Sequence, residues 1–165
     1  KSPNEVASMV RLPLVRSKVD VPIIAAGGMV DGGTMAAAFA LGAEGIQMGT
    51  RMVSALESPV HQNWKQAIVD APETGTVFLN KFHSPALRAL RTERTSRLEA
   101  NAADNIMPEF GDAQALYFGG DMEAAIPLSG QVAGRIESIK PVADILHETR
   151  DEFFRILESL QRQYL

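Results

Sequence analysis

Two stretches of this chain end an apolar run on bare backbone. Val21-Pro-Ile-Ile-Ala-Ala-Gly-Gly-Met29 reaches Gly27 and Gly28, and Gly45-Ile-Gln-Met-Gly-Thr-Arg51 reaches Gly49 and Thr50. Glycine carries no Cβ, so successive amide N–H groups there can approach an anion closely. Thr50 adds a hydroxyl donor. Two such ends, with a helix start expected just beyond each, predict one phosphate dianion held between two loops. Taken singly, turn geometry explains each glycine and a helix N-cap explains Thr50. The pairing is what points to an anion.

The elements that must position these loops are legible around them. Val21, Ile23 and Ile24 with small alanines form a run too short for a helix, as expected of a strand buried on both faces of a parallel sheet. Asp31 to Thr34 supply turn residues and an N-cap. Met35-Ala-Ala-Ala-Phe-Ala-Leu41 follows as a helix that Gly42 stops. Ile46-Gln-Met48 is the next strand. Strand, helix, strand makes a βαβ unit with parallel strands.

Outside that unit the readings are plainer. Residues 5–17 carry Val6, Met9, Val10, Leu14 and Val15 as an amphipathic helix that Pro13 must kink or interrupt. Ser58-Pro59 opens a helix whose buried face is Trp64, Ala67, Ile68 and Ala71, closed by Pro72. Thr76-Val-Phe-Leu79 is a short strand. Ser84-Pro85 is expected to open a helix bearing Arg88, Arg91, Arg94 and Arg97 at every third residue. That row reads as a solvated face paired with Glu93 and Glu99, or as a docking stripe for an anionic partner such as an acyl carrier protein. Residues 100–130 are irregular, with a short helix in the middle. Gly130-Gln-Val-Ala-Gly134 has small residues suited to a ligand or a neighbouring helix. The chain closes on a helix from Pro141, with Val142, Leu146, Thr149, Phe153, Ile156 and Leu160 as a core stripe and Asp151–Arg155 and Glu158–Arg162 as ion pairs.

Composition narrows the function classes. With 165 residues, 45% of them hydrophobic and 22% charged, the chain can bury a core. Its formal charge of −4 argues against non-specific nucleic-acid binding. No run of about 18 apolar residues marks a membrane span. The absence of cysteine excludes thiolate chemistry and suits a cytoplasmic setting. His61, His83 and His147 lie far apart and form no metal-ligand motif. The first residue is Lys1 rather than Met, inside helix-like sequence, so an amino-terminal half is expected upstream.

The motifs Val21-Pro-Ile-Ile-Ala-Ala-Gly-Gly-Met-Val-Asp-Gly-Gly33 and Ala38-Phe-Ala-Leu-Gly-Ala-Glu-Gly-Ile-Gln-Met-Gly-Thr-Arg51 resemble the flavin-dependent nitronate monooxygenases, formerly called 2-nitropropane dioxygenases. The flavin-dependent enoyl-acyl-carrier-protein reductases are similar here. Gly130-Gln-Val-Ala-Gly134 and the terminal helix extend the likeness over nearly the whole chain.

The resemblance implies an α/β fold: the last two βα units of an FMN-binding (βα)8 TIM barrel plus a helical carboxy-terminal elaboration. Residues 1–71 would carry the barrel units with the FMN phosphate site, and residues 72–165 the elaboration, ending in a helix packed on the barrel. It assigns Gly27, Gly28, Gly49 and Thr50 to the FMN phosphate, and Gln131 to the flavin's surroundings. The family's catalytic histidine is expected upstream of Lys1, so no catalytic residue falls in this chain. A whole barrel needs about 250 residues.

The implied activity is oxidation of nitroalkanes or alkyl nitronates to carbonyl compounds and nitrite with oxygen. The alternatives are an enoyl-acyl-carrier-protein reductase, or a truncated, non-catalytic phosphate-binding half-barrel. Expected partners are the small-molecule substrate, oxygen, and either a second copy of the chain or the upstream half.

Overall fold

The computed structural model describes residues 6–101 and 104–165. The amino-terminal Lys1 to Glu5, including the first residue of the expected opening helix, and part of the 100–130 excursion lie outside them.

Helix α1, Ser8–Arg16, contains Pro13 without breaking. It exposes Met9, Val10 and Leu14, as the segment before it exposes Val6, and lays only Leu12 against the core. Strand β1, Ile24–Ala26, and strand β2, Gly45–Gln47, pair in parallel, with Ala25 opposite Ile46. Strand β1 is shorter than the apolar run from Val21 that signalled it, whereas β2 keeps the length of Ile46-Gln-Met48 but begins one residue earlier. The expectation of burial on both faces fails for β1: Ala25 is buried, but Ile24 is 66% exposed, because nothing among the described residues covers its outer face.

Helix α2, Gly32–Ala40, joins the two strands. Asp31 caps it in a capping box with Thr34, and Gly42 takes φ +98° beyond its end, the left-handed conformation glycine adopts freely. Its alanines let β1 approach, so Ala25, Met29, Ala38 and Ala43 form one small core.

The long α7, Val142–Tyr164, packs on the other side of α2 with Phe39 and Phe153 edge to face at 5.2 Å. The contact is close because Gly32 has no side chain: a Cβ there would lie 2.4 Å from the Phe153 amide nitrogen. The buried face of α7 is Ile145, Thr149 and Phe153, spaced by four. Leu146 and Leu160, expected in that stripe, are exposed. Glu158 and Arg162 pair at 3.4 Å as expected, whereas Asp151 pairs with Arg150 instead of Arg155.

Between these lie α3 (Thr50–Val53), α4 (Gln62–Val69), strands β3 (Thr76–Leu79) and β4 (Leu87–Leu90), α5 (Glu93–Ala100) and α6 (Ala113–Tyr117). Trp64 and Ile68 on α4 pack with Leu90, Leu116, Val132 and Ile136. Each such fully buried side chain contributes about 1.5–3 kcal/mol.

The arginine row does not lie on one helix. Leu87–Leu90 pairs antiparallel with Thr76–Leu79, which buries Leu79 and Ala89 in a hairpin core. Arg88 therefore sits on a strand, over the ring of Phe78 and donating to Thr76. Arg94 and Arg97 begin a separate helix capped by Thr92. The spacing of three reflected no single helix face. The α4 helix also starts later than Ser58-Pro59 suggested: His61 is its N-cap, accepting from the Asn63 amide at 3.1 Å.

Candidate phosphate site

The turn after β1 takes φ +89° at Gly27 and +82° at Gly28, values that strain any residue with a side chain. A Cβ built on Gly27, Gly28 or Gly49 would meet nothing within 4 Å, so all three backbones front open space. That space is one cavity of about 200 Å3. Its walls are Ala26, Gly27, Gly28 and Met29 from the first loop, Gln47, Gly49 and Thr50 from the second, and Gly130 and Val132 from a third segment. Among the described residues the amides of Gly28, Gly49 and Thr50 have no intramolecular acceptor.

Thr50 ties the third wall in. Its Oγ accepts from the Gly130 amide at 2.8 Å, which leaves the hydroxyl proton to be donated elsewhere. Gly130 leads into the 3-10 segment Gln131–Arg135. Gln131 itself is exposed and does not line the cavity; its neighbours Gly130 and Val132 do. Gln47 and Met29, which sequence reasoning left unassigned, are in the wall. Their signal was position alone: each is adjacent to a strand end that carries a glycine.

The helix ends do less here than the sequence implied. The first amides of α2 are already taken, Gly32 by Glu152 at 2.8 Å and Thr34 by Asp31 at 2.8 Å. Helix α3 has only four residues. An anion in this cavity would therefore meet loop amides and the Thr50 hydroxyl, with no ionisable side chain in the wall. Such donors suit a tightly bound phosphate better than a freely exchanging ion, because their orientation is fixed by the fold.

Behind the second loop, Arg51 is 6% exposed. It donates to the Ser138 carbonyl at 2.9 Å and to Ser54 Oγ at 3.0 Å, locking the start of α3 to the segment that leads into α7. Burial lowers its pKa from the ordinary arginine value, with the charge of Glu148 opposing that shift. None of His61, His83 and His147 lines the cavity.

The two strand ends of a parallel βαβ unit thus converge on one cavity, in an α/β fold. The chain belongs to the nitronate monooxygenase family, whose model matches residues 1–151. A probable nitronate monooxygenase of Staphylococcus aureus is 30% identical over 153 residues, covering 89% of this chain and 43% of that protein. Among solved structures, FabK from Thermotoga maritima superposes with a TM-score of 0.90 at 40% identity, over 98% of this chain and 53% of that one. Nitroalkane oxidase from Streptomyces ansochromogenes gives a TM-score of 0.77 at 26% identity, over 92% and 45%. The chain thus spans about half the length of the proteins it is similar to, or less.

Proposed function

We propose that this chain is the part of an FMN-dependent oxidoreductase that grips the cofactor's phosphate. Gly27 and Gly28 would follow the seventh strand of a (βα)8 TIM barrel, and Gly49 and Thr50 the eighth. The observation that carries the reading is the convergence of both glycine loops on one cavity, where the amides of Gly28, Gly49 and Thr50 have no other acceptor. In barrels of this class a phosphate site is frequent between the loops after strands 7 and 8. Gln131 stands beside the wall and, in this reading, meets the flavin outside the phosphate pocket.

FMN, when bound, supplies the electron-transfer chemistry. The residues of this chain supply position. The amides of Gly28, Gly49 and Thr50 and the Thr50 hydroxyl would donate hydrogen bonds to the phosphate, and the fixed loops would orient what is bound. No ionisable side chain lies in this wall, so the wall itself offers hydrogen-bond donors and orientation.

The substrate proposed is an alkyl nitronate or nitroalkane, oxidised with oxygen to a carbonyl compound and nitrite. A second reading, reduction of an enoyl thioester with a nicotinamide donor, is supported by the higher identity to FabK, 40% against 26% for nitroalkane oxidase. Either activity needs a partner to complete the site, an upstream half or another copy.

The visible spectrum of the purified chain, followed by anaerobic mixing with propane-2-nitronate or with NADH, tests both. Bleaching of the flavin band by nitronate alone supports the first reading, and bleaching by NADH alone supports the second. A chain that neither retains nor binds FMN would instead be a non-catalytic half-barrel.

A further inference from the structure

We propose that Arg135 is a positioning residue for the phosphate pocket. It pairs with Asp31, and this offsets the charge of a carboxylate that follows the first glycine loop. The inference rests on the phosphate reading above.

The two partners are 104 residues apart in sequence, and each stands just past a cavity wall. Asp31 follows Met29 by two positions, and Arg135 follows Val132 by three. One carboxylate oxygen of Asp31 takes the Thr34 amide and hydroxyl, and the other takes Arg135. Glu152 brings a second carboxylate to the Gly32 amide. The start of α2 therefore carries two negative charges next to a pocket built for a dianion, and the wall contains no cation.

Arg51 and Arg135 are the cations closest in sequence to the cavity wall, and they differ. Arg51 is spent on Ser54 and the Ser138 carbonyl. Arg135 binds Asp31 directly, with the arginine side chain 55% exposed and the aspartate 27%. A pair this exposed adds little to stability. What it changes is the charge that an incoming phosphate meets.

The test is FMN titration by flavin fluorescence on the full chain, with riboflavin as the phosphate-free control. Arg135→Gln should weaken FMN about threefold to fivefold and leave riboflavin unmoved. Asp31→Asn keeps an N-cap acceptor while removing the charge. Combined with Arg135→Gln, it should restore affinity to within about twofold of wild type, a coupling that a merely structural role would not show. Arg135→Lys should retain most of the affinity, and the Arg135→Gln effect should shrink in high salt.

Unchanged FMN affinity in Arg135→Gln overturns the inference, as does a double variant no better than the single one. If Arg135→Gln fails to fold, Asp31→Asn alone decides, since lifting the charge must tighten FMN and a lack of tightening overturns it. A wild-type chain that binds FMN no better than riboflavin overturns the phosphate reading itself.

Discussion

Thr50 Oγ accepts a hydrogen bond of 2.8 Å from the amide of Gly130, eighty residues further along the chain. One hydroxyl thereby joins the second glycine loop to the third wall and still has its proton to give. Thr50→Val removes both roles and strands the Gly130 amide. FMN affinity should fall about tenfold, from a loss on the order of 1–2 kcal/mol. Thr50→Ser should stay within about threefold of wild type. Equal affinity of the valine variant and the wild type would remove Thr50 from the site.

Gly49 offers a way to fill the pocket without straining the chain. Its φ is −90°, and a Cβ there meets nothing within 4 Å. Gly49→Ala should keep its melting temperature within about 2 °C of wild type and weaken FMN measurably in the same titration. Gly28→Ala differs, because φ is +82°: it should also lose about 1 kcal/mol of stability in chemical denaturation.

Adjacent glycines in α2 should respond in opposite ways. An alanine at Gly32 would press on the Phe153 nitrogen at 2.4 Å and the Thr149 carbonyl oxygen at 2.5 Å, so about 2–3 kcal/mol should be lost as α7 is pushed off. At Gly33 the nearest atom lies at 3.4 Å, and alanine there should be neutral or stabilise by up to about 1 kcal/mol. Thermal melts of the two variants check this. Equal losses would show that α2 and α7 are not in register as described.

The hairpin region has its own keystone in Glu123. Its carboxylate accepts from the amides of Glu93 at 3.0 Å and Arg94 at 2.7 Å and from Thr92 Oγ at 3.2 Å, closing the start of α5. Glu123→Ala should cost about 1–2 kcal/mol in denaturant unfolding and leave FMN binding unchanged. A loss of FMN binding would tie α5 to the pocket, against the present description.

The candidate phosphate pocket was legible where local rules act alone. Gly27-Gly28 and Gly49-Thr50 announce strand ends, Asp31 with Thr34 spells a cap, and Gly42 spells a stop. Long-range choices were not legible. Arg88 read as helical because every third residue was arginine, but pairing with Phe78 across a hairpin decides its conformation, and β-structure depends on such partners. Gln131 sat in the right segment, yet the turn aims Gly130 and Val132 inward. Glu152 at the head of α2 was invisible for the same reason: its partner lies 120 residues away.

That distance sets an order of events during synthesis. The Gly32 amide and the apolar side of Phe39 await a helix whose Glu152 is synthesised 120 residues after Gly32. At about 5–20 residues per second, the segment from α2 to the end of α7 takes several seconds or more to emerge. Throughout that interval the nascent βαβ unit has its glycine loops but lacks both the third wall and the strap behind α2. Closure of this pocket and burial of the α2 face are accordingly late steps, following synthesis of residues 130–132 and of α7.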